Sequence, residues 1–275
     1  VLKSIFKTSF SPAEKIGILA LSLAFLLYFF GIFWSTLPLI FFLLVSIAAA
    51  FFPGVGFYLP VISRGQKGER GIALTFDDGP SPASTPIILE LLARHRLPAT
   101  FFVIGEKAAR YPELLTDIVN GGHTIGNHSW KHDYLLMWRS PETLWKDIHN
   151  TQEILKKSGI FPLVFRPPVG ISGPRLHGVL SREGLLTVTY SCRAFDRGNR
   201  NIDNLAEKIL NRLQPGGIIM LHDLPVYRSS EADDWQKELD RLFAALSSDY
   251  DTLPLEQLIG RPVTMFFKKL PEEPI

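Results

Sequence analysis

From Gly71 onward the chain alternates short β-forming runs with helix-forming ones, and this alternation restricts its possible folds more than any other feature. The β-like runs are residues 71–76, 99–104, 123–126, 163–166, 185–191, 217–222 and, with weaker patterning, 250–253. Helical patterns fill the gaps. One opens on the start signal Ser140-Pro141 and places Leu144, Ile148 and Leu155 on one face through residue 157. Ile202, Leu205, Ile209 and Leu213 mark a second helix, and Trp235, Leu239, Leu242 and Phe243 a third that follows the acidic run 231–234. Strands that alternate with helices build a parallel sheet, either an open doubly wound form or a closed barrel. Roughly two hundred residues suffice for one such domain. With 29 basic against 27 acidic side chains, nothing in the charge points to nucleic acid.

The first sixty residues have a different character. Residues 16–34 carry no charge and are nearly all apolar, roughly 28 Å of helix at 1.5 Å per residue. That approaches a hydrocarbon core of about 30 Å. A second apolar run covers 39–52 and is broken by Pro53, Gly54 and Gly56. The expected structure is a transmembrane helical hairpin that contacts membrane lipid. Its turn is expected at Ser35–Pro38, with Pro38 in the first turn of the second helix and Phe57-Tyr58 as an interfacial aromatic pair. A cleaved signal peptide is the competing reading, but the apolar stretch is long for one and no small-residue cleavage site follows it promptly. Lys3, Lys7 and Lys15 precede the first run and Arg64, Lys67 and Arg70 follow the second. Two spans place both flanks on one side, and the positive-inside rule makes that side cytoplasmic, in a bacterial inner membrane. One span would turn the large domain outward. The single cysteine, Cys192, excludes an internal disulfide. The expected division is 1–60 anchor, 61–70 linker, 71–260 catalytic domain and 261–275 tail.

The polar residues that stand out fall at the downstream ends of the β-like runs, where α/β folds carry their sites. Thr75-Phe76-Asp77-Asp78-Gly79-Pro80 ends the first. Alone it is ordinary turn chemistry, but adjacent carboxylates at a strand end point in different directions and can divide two tasks between them. His128 and His132, in Asn-His-Ser-Trp-Lys-His, are spaced to face one metal from a single helical turn. With Asp78 they would form a two-histidine, one-carboxylate site, and Asp77 would be the general base. The bland reading of the histidine pair, a surface coincidence, loses ground to the double aspartate upstream. His123 is expected on the third strand as a hydrogen-bonded structural residue.

Arg166, in Arg-Pro-Pro-Val-Gly, is the candidate partner that keeps Asp77 ionised and aimed, though an ordinary structural ion pair fits equally. The stiff Pro167-Pro168 turn offers the Val169 amide as an oxyanion donor. His222, in Met-Leu-His-Asp, is the candidate general acid, and Asp196 could hold that imidazole protonated. For Asp196, a loop carboxylate paired with Arg197 or Arg200 is nearly as good an account.

In that order, Thr-Phe-Asp-Asp-Gly-Pro, His-Ser-x-x-His, Arg-Pro-Pro-x-Gly and Leu-His-Asp resemble the motifs of the polysaccharide deacetylases of carbohydrate esterase family 4, the NodB-homology domain. Ala-Thr-Phe-Phe-Val-Ile-Gly at 99–105 and Gly-His-Thr-Ile-Gly-Asn-His at 122–128 add to the likeness, which covers about 71–260. The resemblance implies a distorted (β/α)7 barrel and a divalent metal, zinc foremost, with cobalt, nickel or manganese as alternatives. It also implies hydrolysis of a linear, non-peptide amide on an amino sugar. By the same resemblance Asp77 is the base and Asp78, His128 and His132 hold the metal. Arg166 supports the base, Asp196 tunes the acid and His222 is the acid. Family members often carry an aromatic residue at the position of Val169 and a tryptophan at that of Arg197, so the sugar groove here is expected to differ. The expected substrate is an N-acetylated, or N-formylated, amino sugar in a polysaccharide or a lipid-linked saccharide. The alternatives are a carbohydrate O-acetyl esterase and a catalytically silent glycan-binding module.

Overall fold

The computed structural model describes residues 10–267; Lys3, Lys7 and the end of the tail lie outside the described residues. Helices α1 (Pro12–Tyr28) and α2 (Ile32–Ala50) form an antiparallel hairpin in which Gly17 packs against the Phe42 ring. There follow β1 (Val61–Ile62), β2 (Ala73–Asp77), α3 (Thr85–His95), β3 (Ala99–Val103), α4 (Gly105–Arg110), α5 (Pro112–Asn120), β4 (Thr124–Asn127) and α6 (Pro141–Lys157). The chain continues through β5 (Ile160–Pro162), β6 (Val164–Phe165), α7 (Leu176–Glu183), β7 (Leu186–Val188), β8 (Cys192–Arg193) and α8 (Leu205–Leu210). It ends with β9 (Ile218–His222), α9 (Ala232–Asp249), α10 (Leu255–Ile259) and β10 (Thr264–Phe266).

Eight strands form one parallel sheet in the order β1-β7-β6-β4-β3-β2-β9-β8. The sheet curls into a half-barrel, and β1 and β8 do not pair with each other among the described residues. The expected seven-stranded barrel is thus corrected to eight strands with an open seam. The added strands, β1 and β8, are two residues each, too short to show a period. β1 lies inside the stretch read as linker, and the weak run 250–253 contributes only a bridge between Ile72 and Thr252. A separate antiparallel pair joins β10 to β5.

Every residue of β2 and β3 is buried, as expected for parallel strands covered on both faces. On the outer face Phe76 stacks on Phe101 at 5.1 Å and meets Phe243 of α9 edge-on. On the inner face Phe102 fills the barrel. A Cβ at Gly126 would lie 2.6 Å from the Phe102 ring, so only glycine leaves that ring its place. Phe102 in turn lies flat beneath the Arg166 guanidinium at 3.9 Å. A packing requirement on β4 is in this way passed to a charged residue on β6.

The hairpin turns at residues 29–31, not at Ser35–Pro38. Gly31 adopts φ +124°, a conformation that side-chain-bearing residues rarely enter, so the reversal belongs there. Ser35 and Thr36 donate their hydroxyls to the carbonyls of Ile32 and Phe33, which makes them helical residues, and Pro38 lies inside α2. Ser11 and Glu14 start α1 with a capping box. By length and composition α2 can cross a membrane: it has 19 residues and a mean hydropathy of 2.2, and more than half of its side chains are exposed. Phe57, expected at an interface, is instead buried under the hairpin base, where its carbonyl accepts from the Ala13 N–H. That base is bonded to the barrel. Ala50 O accepts from Ser172 N–H at 3.2 Å, and Pro53 O accepts from the Thr189 hydroxyl at 2.9 Å.

Candidate active site

Parallel pairing sets Asp77 of β2 beside His222 of β9, and β4 and β6 deliver Asn127 and Phe165 one residue beyond that level. The residues just past these strand ends form the site. Asp78 turns out of β2 with φ +73°, so its carboxylate leaves Asp77 and faces the loop after β4. That loop, not a helical turn, carries His128 and His132: Ser129 and His132 both have positive φ, and the bend brings the two rings to 5.0 Å. Ser129 is held by Asn127 Oδ1, and its hydroxyl accepts from His132 N–H.

His128 Nε2 lies 3.3 Å and His132 Nε2 3.2 Å from Asp78 Oδ1. Neither approach has hydrogen-bonding geometry, and this buried oxygen has no hydrogen-bond donor among the described residues. The three ligand atoms lie within 4.8 Å of one another. His128 Nδ1 is 2.7 Å from the Arg166 carbonyl, which can only accept; Nδ1 therefore carries a proton, and Nε2 is the nitrogen aimed at Asp78. Burial alone would raise the Asp78 carboxyl. The adjoining His128, His132 and His222 imidazoles overcome it and hold Asp78 far below the usual carboxylate range. Two imidazole nitrogens that meet an orphaned carboxylate oxygen are a donor set that fits a divalent cation.

On one flank, Arg166 Nη1 donates to Asp77 Oδ1 at 2.6 Å and to Thr75 Oγ1 at 2.8 Å. Its Nε and Nη2 donate to the carbonyls of Val188 and Thr189. Arg166 is 1% exposed. On the other flank His222 Nδ1 lies 2.7 Å from Asp196 Oδ2. Asp196 pairs with this imidazole rather than with Arg197 or Arg200, whose backbone N–H bonds the Asp196 carbonyl instead. Burial would lower the His222 imidazole, but the hydrogen bond and charge of Asp196 raise it to about 9.

Val169 lies on the single turn Pro168–Gly170 with φ +50° and a half-exposed side chain. His123 is buried against Phe101, and its Nδ1 has no hydrogen-bond partner among the described residues, contrary to the expected bonded role; burial lowers this imidazole to about 4. Three further residues support the site. Thr75 shares the Arg166 donor. Lys107 Nζ donates to Asp78 O at 2.7 Å. Asp223 accepts from the Ser84 and Thr85 hydroxyls at 2.6 Å and anchors α3 behind the Gly79-Pro80 turn. Thr75 and Asp223 lie within the Thr-Phe-Asp-Asp-Gly-Pro and Leu-His-Asp motifs, which did not give their roles; a lysine on a short helix leaves no signal.

A family model described as polysaccharide deacetylase matches residues 64–188. The peptidoglycan-N-acetylmuramic acid deacetylase PdaC of Bacillus subtilis is 36% identical over 184 residues, which are 66% of this chain and 38% of that protein. A chitooligosaccharide deacetylase of Azorhizobium caulinodans is 36% identical over 163 residues, 58% of this chain and 77% of that protein. The solved structure of B. subtilis PdaC superposes with a TM-score of 0.61 at 32% identity, over 70% of this chain and 91% of the solved one. The chain spans about two fifths of the length of PdaC and of the Listeria monocytogenes peptidoglycan-N-acetylglucosamine deacetylase, 38% and 41% respectively. With this half-barrel, these motifs and these relatives, the chain belongs to the polysaccharide deacetylase family.

Proposed function

We propose that the protein is a membrane-anchored, metal-dependent hydrolase that removes an N-acetyl or N-formyl group from an amino sugar. The observation that carries this reading is the convergence of His128 and His132 on a buried carboxylate oxygen of Asp78, flanked by Asp77–Arg166 on one side and His222–Asp196 on the other. Asp78, His128 and His132 would hold the cation. When bound, a divalent cation polarises the acyl oxygen and makes water a better nucleophile near neutral pH. Arg166 occupies Asp77 Oδ1, so Oδ2 is the oxygen left to accept a proton from the attacking water. His222 donates Nδ1–H to Asp196, so its Nε2–H is the proton available to the departing sugar nitrogen. The Val169 amide would face the acyl oxygen.

Anchoring rests on α2, the one helix among the described residues long and apolar enough to span; were α1 to span with it, both chain flanks would return to one side of the bilayer. The basic flank Arg64, Lys67 and Arg70 then favours the cytoplasmic side, where a lipid-linked saccharide at the bilayer surface would lie within reach.

The test is acyl release from native membranes, with acetate and formate quantified separately. Release abolished by chelator and restored by divalent metal is the expected result, and the acid found names the acyl group. Folded, metal-replete protein that releases neither would sink the reading. The pH profile is a second check. His222 must be protonated to act, and its raised value keeps it so up to about pH 9. Activity should therefore fall as pH rises past that point. In Asp196→Asn the raising partner is lost while burial remains, so the alkaline limb of kcat/KM should move down by at least about one unit. An unmoved limb would take Asp196 and His222 out of the proton transfer.

A further inference from the structure

At the mouth of the site lies a cation that the reaction does not use. Cys192 points outward, its Sγ against the Ile209 carbonyl in the layer of α8, so strand alternation turns Arg193 inward. Arg193 Nη1 donates to the Tyr190 hydroxyl at 3.0 Å, and its guanidinium lies 4.2 Å from the centre of the Phe195 ring. That tyrosine borders the catalytic groups. Its hydroxyl is 3.2 Å from where a Gly170 Cβ would stand, and its ring is 5.9 Å from the Arg166 guanidinium, the partner of Asp77. Among the described arginines only Arg166 and Arg193 are withdrawn from solvent; Arg166 is paired with Asp77, whereas no carboxylate lies within ion-pair distance of Arg193, and the other arginines that lack one are exposed. Arg212 shares the Phe195 ring at 5.0 Å, and the exposed Arg197 and Arg200 follow in the next loop. A half-buried guanidinium held by a phenol and an aromatic face, without a counter-ion, is arranged to receive one. Its fork matches a phosphate.

The opposite wall is apolar. Tyr134, Leu135 and Trp138 are 56–64% exposed on the segment that follows His132, and the Tyr134 ring lies 5.3 Å from that imidazole. Trp138 meets Phe51, the residue that caps α2, at 6.5 Å. This rim is therefore continuous with the base of the apolar hairpin, and a bilayer that receives α2 meets it next.

We infer that the substrate is an amino sugar joined through a phosphate to a lipid chain, with Arg193 binding the phosphate and the Tyr134–Leu135–Trp138 rim seating against the bilayer surface that holds the chain. The inference rests on the deacylase reading for the chemistry, but its binding test does not. Full-length protein in phosphatidylcholine nanodiscs, stripped of metal so that nothing is cleaved, is titrated with three probes: N-acetylglucosamine 1-phosphate, its short-prenyl ester and a neutral octyl N-acetylglucosaminide. The prenyl phosphosugar should bind at least about tenfold more tightly than either of the others. Arg193→Gln should erase its advantage over the neutral glycoside, and Arg193→Lys should keep most of it. Leu135→Ser with Trp138→Ser should erase its advantage over the soluble sugar phosphate. Equal affinities in the unmodified protein, or an Arg193→Gln loss that is the same for charged and neutral probes, would overturn the inference. The expected pattern with no acid released once metal is restored would overturn the deacylase reading and leave the phosphate site standing. Equal binding with acid released would do the reverse.

Discussion

Asp77→Asn is expected to lower kcat for acyl release by about 10²–10⁴, the range over which a positioned general base contributes, with KM and metal content changed by less than about twofold. The substitution is isosteric. The new side-chain amide can still accept the Arg166 Nη1 proton through its carbonyl oxygen, and Thr75 still shares that donor. None of the three residues proposed to hold the cation is altered, so metal content separates a lost base from a lost site. What disappears is a group at the Oδ2 position that can take a proton from water. Turnover within about tenfold of the unmodified enzyme would mean that another group is the base and that Asp77 only pairs with Arg166. Assays belong well below the unfolding temperature, because the substitution also leaves Arg166 buried without its counter-charge.

The second large effect is on stability. Arg166→Met should destabilise the fold by about 3–5 kcal/mol, the usual cost of removing one partner from a buried ion pair. The side chain is 1% exposed and donates to Asp77, to Thr75 and to the carbonyls of Val188 and Thr189, so its loss strands several acceptors at once. Urea unfolding of the single variant and of Arg166→Met combined with Asp77→Leu checks the cause. The double variant should recover a large part of the lost stability, because replacing both charges by apolar groups removes the uncompensated carboxylate. It should remain inactive. A single variant within about 1 kcal/mol of the unmodified protein would show that the pair is not worth what its burial implies.

The groups at the strand ends were legible because chemistry restricts them to few residue types. Asp77, Asp78, His128, His132, Arg166, Asp196 and His222 stand out as titratable side chains at the ends of apolar runs, and the structure gathers all seven. How His128 and His132 reach Asp78 was not legible. A spacing of four suggests a helix, whereas the loop depends on positive φ at Ser129 and His132, and neither residue type announces that conformation. The hairpin turn was misplaced for a related reason: Ser35, Thr36 and Pro38 are turn formers by type, yet the hydroxyls bond back within α2 and Gly31 makes the reversal. β1 and β8 fell below the length at which alternation can be seen. Arg193 gave no signal, because an unpaired cation is defined by the carboxylates that are absent around it, and only folding reveals those.

The bond from the Thr189 hydroxyl to Pro53 O ties the apolar hairpin to the catalytic groups. The Thr189 carbonyl also accepts from Arg166 Nη2 at 2.8 Å, so one residue joins the foot of the hairpin to the guanidinium that holds Asp77. Ser172 makes a parallel tie to Ala50. The foot of the hairpin is therefore bonded to the residues that hold Arg166 in place. A chain trimmed just before β1 for solubility would keep every residue proposed for the chemistry, yet Thr189 would lose its bond to Pro53. The bilayer, by setting the tilt of α2, would hold a lever on the alignment of Asp77.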